Sequence, residues 1–275
     1  TIKVNTQWTQ LLGSELGYQN TFWDYSQSGG NTVAPFSTPS YAGLLDQIDN
    51  MAWLNLTWQA LPTTVLFVGY QYEQDNYTGN EIIAPGFKSD NRDSRSQYGY
   101  LGVKYNPLDN LTIALKGGIQ YIQFYNPPTT VPATPSTSST TPYVDFSATY
   151  TYLPGSYVQV GFTQTRNASS VVGVPTASGQ ITEDEESSTV YASVNHQFTP
   201  KLTGSAIGRV QRSTLEEGQF NNSVETWYSF GLNLAYSFNQ HLSTEVGYNF
   251  DDLDSNVPGQ NYKRNRAYIG VTATY

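Results

Sequence analysis

The sequence predicts an all-β protein: a transmembrane, antiparallel, up-and-down β-barrel of about 12 strands. Apolar and polar residues alternate along stretches of about 10 to 14 residues, near the roughly 9–11 residues of a tilted transmembrane strand. Short and long connections between these stretches alternate along the chain. The final stretch alternates as far as its last residue, the aromatic Tyr275. These three observations favour a closed barrel, in which a terminal aromatic residue lies at the membrane interface.

The composition suits a protein that contacts lipid on one face and water on the other. Charged residues make up only 13% of the chain, about half of the roughly 25% that is usual in soluble domains. The chain is instead polar through Gln, Asn, Ser and Thr, and its mean hydropathy is −0.44. Lipid outside and a neutral, hydrogen-bonding lumen inside would account for this balance.

Charge and cysteine content exclude several classes of function. The net charge of −9 argues against nucleic acid as a partner, because nucleic-acid binding needs a basic surface. The absence of Cys removes disulfides and thiolate chemistry, and it is compatible with an oxidising periplasm. No run approaches the roughly 18 apolar residues of a transmembrane helix, so a membrane location requires a barrel. Because the chain starts at Thr1, we expect a processed or trimmed protein.

The predicted strands follow one another without a second domain. We expect residues 1–9 to be a polar periplasmic lead and residues 10–275 to be a single barrel domain. One clear strand alternates outward Ile113 and Leu115 with inward Thr112 and Lys116. A soluble β-sandwich or jelly roll would also explain such alternation, but not the regular exchange of short and long connections.

The end of the chain carries a family resemblance. Gly270 lies five residues before the terminal Tyr275, in a strand with a continuous apolar face. The segment therefore resembles the C-terminal assembly signal of Gram-negative outer-membrane β-barrels, although Ala273 stands where an aromatic residue is usual. The resemblance implies short periplasmic turns, long extracellular loops, and both termini in the periplasm. It also implies outer-membrane lipid, lipopolysaccharide and the barrel-assembly machinery as partners.

Eight charged residues have the parity of the lumenal face. In a narrow barrel such charges pair and cross-link the interior, whereas in an open pore they set ion preference. A barrel of about twelve strands lies between the filled eight-stranded type and the aqueous 16–18-stranded type, so both interpretations stay open. The mixed signs predict a weakly selective or plugged lumen. The eight residues are Glu15, Glu73, Lys104, Lys116, Asp145, Arg209, Glu245 and Arg266.

The two histidines are the first candidates for catalysis. Outer-membrane phospholipases use Ser and His on the outer wall, and outer-membrane proteases use Asp and His above the outer rim. His196 falls on the outward face near a short turn, and His241 falls within a short turn. Neither would reach an active site at the outer end, so we expect surface or interfacial histidines and no enzymatic activity.

Three acidic groups fall in predicted loops. Loop carboxylates can bind Ca²⁺ or bridge lipopolysaccharide phosphates through divalent ions. None of the groups matches the spaced pattern of a Ca²⁺-binding loop, and charge runs on loops are usually hydrated. We therefore expect solvated loops, with no metal site and no cofactor. The groups are Glu183-Asp184-Glu185-Glu186, Asp251-Asp252-Asp254 and Glu216-Glu217.

Two loops have unusual compositions. Residues 126–142 are rich in Pro, Thr and Ser, which favours an extended loop that is either mobile or binds glycans or a partner. The loop after the first predicted strand is too aromatic for a freely solvated segment. We expect it to enter the lumen as a constriction or to pack on a neighbouring protein. Its aromatic residues are Phe22, Trp23, Tyr25, Phe36 and Tyr41.

Two functions from different classes fit these observations. The first is a porin-like channel for passive passage of small polar solutes or ions, lined by the lumenal charges and narrowed by the first loop. The second is a closed structural barrel that anchors or lines an outer-membrane assembly, as a homo-oligomer or with an envelope protein. A lipolytic or proteolytic barrel is the third and least favoured hypothesis.

Overall fold

The computed structural model describes residues 1–26, 41–128, 138–173, 176 and 181–273. Thirteen strands form one antiparallel sheet in which each pairs with the next along the chain. They are β1 (Ile2–Gln7), β2 (Leu12–Trp23), β3 (Gln47–Leu61), β4 (Thr64–Tyr77), β7 (Ser94–Leu108), β8 (Leu111–Phe124), β9 (Ser138–Leu153), β10 (Ser156–Ala168), β11 (Asp184–Thr199), β12 (Leu202–Glu216), β13 (Val224–Ser237), β14 (Leu242–Ser255) and β15 (Tyr262–Ala273). This up-and-down meander confirms the predicted fold class.

The remaining elements lie in the long connections. Strands β5 (Ile82–Ala84) and β6 (Phe87–Lys88) form a separate hairpin, followed by the 3₁₀ helix Ser89–Arg92. The five-residue helix α1 spans Tyr41–Leu45. Among the described residues, no helix has the length and apolar character needed to cross a bilayer.

Short and long connections alternate as predicted, and the sequence explains the short ones. Pro154 and Gly155 join β9 to β10, where Gly155 has a φ of +75° that favours glycine. The Thr199 hydroxyl accepts hydrogen bonds from the amides of Lys201 and Leu202 between β11 and β12. All the short turns lie at one rim of the sheet, called here the short-turn rim, and the long loops lie at the other, the loop end.

The first strand differs from the sequence-based prediction. Residues 1–9 were predicted as a lead, but Ile2–Gln7 forms β1 and pairs with β2. Its outward Ile2 and Val4 alternate with inward Lys3 and Asn5, which is the strand pattern in short form. β1 is antiparallel to β2 and pairs Ile2 with Tyr18, so Ile2 lies away from the short-turn rim.

The strand count is therefore thirteen rather than about twelve. β1 and β15 are the two edges of the sheet, which is not closed among the described residues. Several strands also extend further into the loops than the sequence predicted. Residues 138–142 of the Pro/Thr/Ser segment belong to β9, and Asp251–Ser255 belongs to β14.

The outer face of the sheet is apolar and ends in hydrogen-bonded tyrosines. Leu101, Ile119 and Val190 are exposed there, as lipid-facing residues of a barrel should be. Toward the loop end, the Tyr18 hydroxyl donates to Asn50 at 2.7 Å, and the Tyr248 hydroxyl donates to Asn265 at 2.5 Å. Apolar rings with a polar tip are typical of a membrane–water interface, so these tyrosines mark the border of the apolar band.

Candidate channel lumen

The inner face of the sheet brings several predicted charges together with partners. The Glu15 carboxylate lies 2.5 Å from the Lys3 ammonium on β1 and accepts a hydrogen bond from the Trp53 indole at 2.9 Å. Lys116 and Asp145, on neighbouring strands, form an ion pair at 3.0 Å. Each acidic group is thus neutralised within the wall. This is the cross-linked interior that the sequence left open as one alternative.

The Lys116–Asp145 pair borders a cluster of lumenal tyrosines. The Lys116 ammonium donates to the Tyr143 hydroxyl at 3.1 Å and lies 5.5 Å from the centroid of the Tyr100 ring. Tyr98 and Tyr143 pack edge to face, with ring centroids 5.2 Å apart. All three tyrosines are buried, so this side of the inner face is filled by rings.

The other predicted lumenal charges divide into paired and exposed groups. Glu73 accepts a hydrogen bond from Tyr98 at 2.8 Å, and Glu245 accepts one from Asn233 at 3.0 Å. Arg266 lies 3.2 Å from Asp251. Lys104 and Arg209 are exposed, and neither forms an ion pair within the described part of the chain. These two cations are therefore the predicted lumenal charges best placed to act on a passing solute.

At three positions of the lumenal wall, an aromatic ring covers the glycine that stands directly opposite it on the neighbouring strand. Trp53 covers Gly17, Tyr191 covers Gly161 and Tyr268 covers Gly247. A Cβ at any of these glycines would collide with the ring. This cross-strand pairing of an aromatic residue with glycine fixes the register between the two strands. It also keeps large side chains close to the wall.

A layer of loops covers part of the inner face at the loop end. We call it the loop cap; it comprises residues 41–46, 78–93, 165–173 and 181–183. Ile83, Phe87, Val172 and Ile181 form its buried apolar core. Beneath it, Ser96, Gln120 and Ile122 on the lumenal wall are at most 2% exposed. The inner face is thus covered at the loop end, whereas Lys104 near the short-turn rim is exposed.

Arg92 lies at the centre of the loop cap. It is 1% exposed, and its guanidinium donates to the Leu44 carbonyl at 3.1 Å and to the Ser169 carbonyl. The same group lies 4.7 Å from the centroid of the Tyr77 ring. Three separate loop segments therefore meet on one side chain. The neighbouring Asp93 accepts a hydrogen bond from the Tyr77 amide, and burial raises the pKa of its carboxyl.

A second buried arginine, Arg166, ties the cap to an acidic residue. Its guanidinium binds Asp184 in bidentate geometry, with distances of 2.7 and 2.9 Å. Its backbone exchanges two hydrogen bonds with the side-chain amide of Gln120 on the lumenal wall, at 2.6 and 2.8 Å. The Arg166–Asp184 pair stabilises the loop end, and the Gln120 contact attaches the cap to the wall.

The acidic groups are not simply solvated loops, which corrects the expectation from sequence. Asp184 is buried against Arg166, and Asp251 is buried between Arg264 and Arg266. The basic partners lie far away in sequence or on the neighbouring strand, so the acidic runs alone did not reveal them. Within the described residues, no group of three or more His, Asp or Glu side chains is arranged to hold a metal ion.

The predicted constriction by the first loop is not seen where that loop is described. Phe22 and Trp23 belong to β2 and are exposed, as is Tyr25. Phe36 lies outside the described residues, and Tyr41 begins α1. The cap core comes mainly from the two loops around Phe87 and Val172.

The histidines and the terminal signal lie away from the cap. His196 is hydrogen-bonded to the Tyr152 hydroxyl at 2.9 Å and packs on Phe198. His241 lies in the turn before β14. Gly270 faces Glu245, and its carbonyl accepts a hydrogen bond from Thr244 at 2.9 Å, while Tyr275 lies outside the described residues.

Sequence reasoning missed Lys3, Arg92, Gln120 and Arg166. Only Lys3 had a usable signal, namely its place in the alternation of residues 2–7. The others act through contacts between segments distant in sequence, which periodicity does not report.

Comparison with known proteins agrees with this architecture. Residues 140–275 match the family model described as "Putative beta-barrel porin 2". The sequence matches none of the curated proteins. The fold resembles the copper transporter OprC, with a TM-score of 0.57 and 11% identity over 99% of this chain and 51% of that chain.

Two further solved structures give a similar result. The ferric yersiniabactin uptake receptor FyuA from Yersinia pestis has a TM-score of 0.54 and 13% identity, over 98% of this chain and 46% of that chain. The FrpB iron transporter from Neisseria meningitidis has a TM-score of 0.54 and 9% identity, over 94% of this chain and 45% of that chain. The chain spans about half the length of these proteins, and identities this low show the fold alone.

The match of residues 140–275 to this family model and the resemblance to these folds together indicate the class of protein. The chain is a β-barrel of the bacterial outer membrane. The family-model match also supports a channel or transporter role.

Proposed function

We propose that this protein is a porin-like channel, without enzymatic activity, for passive passage of small polar solutes or ions. The observation that carries the proposal is the contrast between the two faces of the sheet. The outer face exposes a band of Leu, Ile and Val, whereas the inner face carries paired charges, hydrogen-bonded Tyr and Asn, and the exposed cations Lys104 and Arg209. Such a polar inner face allows water and polar solutes to cross the apolar layer.

The channel would be oriented with its short-turn rim in the periplasm and its loop cap outside. Lipopolysaccharide and outer-membrane lipid would contact the apolar band, and the barrel-assembly machinery would insert the protein. The alternative is a closed structural barrel within an outer-membrane assembly. It is favoured specifically by the buried tyrosines Tyr98, Tyr100 and Tyr143 on the inner face.

Ion preference should be weak. Ion pairs neutralise Glu15, Lys116, Asp145 and Asp251, so few fixed lumenal charges act on mobile ions. The lumen would then select solutes by their size and hydrogen bonding more than by their charge.

Conductance in a planar bilayer tests the proposal. We expect discrete current steps and a small reversal potential in a salt gradient. A folded, inserted protein that never passes current would contradict the channel and favour the structural barrel. Co-purification of a stoichiometric partner would strengthen that second conclusion.

Replacing Lys104 with Glu is expected to shift the reversal potential toward cation preference. The exposed ammonium is exchanged for a carboxylate on the inner face, so the local potential changes sign. The matched control is Arg95→Glu, the same change of charge on the outward face of the same strand, where Arg95 binds Gln123. Equal shifts in both variants would mean that Lys104 does not face the ion pathway.

A further inference from the structure

The loop cap is built on a strand that leaves the wall. β10 pairs with β9 only as far as Gln164 opposite Val144. Beyond that point β9 continues to pair with β8, and β10 continues to pair with β11 as far as Ala168 opposite Asp184. The end of the β10–β11 hairpin therefore separates from β9. Pro142 lies in the part of β9 that has lost this neighbour, where its missing N–H costs no ladder hydrogen bond.

Gln120 holds the separated segment on the inner face. Its side-chain amide donates to the Arg166 carbonyl and accepts from the Arg166 amide, so it imitates one rung of a β-ladder. Residues 166–168 thereby roof a cavity of about 200 Å³ that is lined on the wall side by Glu73, Ser96 and Ile122. This segment lies over the inner face of β4, β7 and β8.

Arg92 joins the first half of the cap, residues 41–46 and 78–93, to the second half, residues 165–173 and 181–183. Its buried guanidinium has two carbonyl acceptors and one aromatic ring, but no carboxylate within ion-pair distance among the described residues. Its Nε is buried without a hydrogen-bond acceptor. A buried cation compensated only by carbonyls and a ring is held less firmly than one in a bidentate ion pair.

Each half of the cap has hydrogen bonds of its own that do not involve Gln120. Ser89 donates to Glu81 within the β5–β6 segment, and Ser169 donates to Glu183 within the β10–β11 connection. Loss of the Gln120 contact would leave these bonds intact, and the first half would stay attached to the strand ends through Asp93, which accepts hydrogen bonds from the Tyr77 and Tyr125 amides. This is the arrangement expected of an element with two discrete positions.

We propose that the loop cap is a lid, docked on the inner wall by Gln120 and by the packing of Arg92 on the Tyr77 ring of β4, whose release widens the pathway through the barrel. The inference rests on the proposed channel function. In the docked position the lid narrows the loop end, and in the released position the polar wall around Ser96 and Gln120 faces water.

Two variants release the lid by different routes. Gln120→Leu preserves side-chain size but removes both hydrogen bonds to Arg166, and Arg92→Met removes the guanidinium. The matched control is Gln123→Leu, on the outward face of the same strand, where Gln123 binds Arg95. Heat-modifiable mobility in detergent electrophoresis shows that each variant is folded.

The first readout does not depend on conduction. The chain contains no Cys, so Ser96→Cys places a single thiol on the wall beneath the lid. We expect a membrane-impermeant maleimide to label it about tenfold faster or more in the Gln120→Leu background, as expected for the loss of two hydrogen bonds. Labelling should not change in the Gln123→Leu background.

Single-channel conductance is the second readout. Faster labelling together with larger steps in both release variants supports the lid. Unchanged labelling in the release variants overturns the lid. If the wild-type protein conducts, current steps of unchanged size in the release variants overturn it as well. Faster labelling in a protein that never conducts supports a movable cap but contradicts the channel, so failure of the two proposals can be told apart.

Discussion

Replacing Gly118 with alanine is expected to prevent correct assembly of the barrel or to destabilise it by about 3 kcal/mol. A Cβ at this position would collide with the Gly99 carbonyl oxygen and lie 2.7 Å from the Tyr100 Cα. These are backbone atoms of β7, directly across the ladder. Because a flexible side chain is not the obstacle, the strands themselves must shift.

The adjacent glycine provides the control. Gly117 has no neighbouring atom within 4 Å of an added Cβ, because it faces outward. Gly117→Ala should fold normally and be slightly more stable, since glycine weakens a strand interior. For both variants, the urea midpoint measures the stability of the barrel, and the heat-modifiable band in detergent electrophoresis shows whether the barrel has assembled. If Gly118→Ala and Gly117→Ala had the same urea midpoint and the same heat-modifiable band, this would contradict the close approach of β7 and β8.

Breaking the Arg166–Asp184 pair should be the second large effect. The two side chains are 10% and 6% exposed, and loss of one partner from a buried ion pair costs about 3–5 kcal/mol. Arg166→Met leaves the Asp184 carboxylate buried without its cation. We expect a fall of about 3 kcal/mol in the free energy of unfolding of the loop end, measured by hydrogen exchange of β10 and β11.

The control for this prediction is another arginine in an ion pair. Arg264 is 49% exposed, and its partner Asp251 retains Arg266. Arg264→Met should therefore cost less than about 1 kcal/mol. The double variant Arg166→Met, Asp184→Leu should recover much of the lost stability, because no buried charge then remains unpaired. Equal losses for Arg166 and Arg264 would show that burial of the Arg166 pair does not stabilise the loop end.

Alternation in the sequence was sufficient to predict the fold. The period of two places Ile113 and Leu115 outside and Lys116 inside, and the short turns are encoded by local residues such as Pro154 and Gly155. β1 was missed because six residues are shorter than the expected span, although Ile2 and Val4 follow the same pattern.

The site was only partly predictable. Parity identified Lys116 and Asp145 as lumenal, but their pairing depends on the register between β8 and β9, which alternation does not encode. The loop cap was not predictable, because Gln120 and Arg92 act on segments 46 and 77 positions away. The sequence there is polar and aperiodic, so composition suggested solvated loops where the structure has a packed layer.

Single-channel recording of the purified, refolded protein in a planar bilayer tests the central claim most directly. The account predicts discrete steps in the wild-type protein, a small reversal potential in a salt gradient, and larger steps when Gln120→Leu releases the lid. An inserted, folded barrel that remains silent both as wild type and as Gln120→Leu would contradict the channel function.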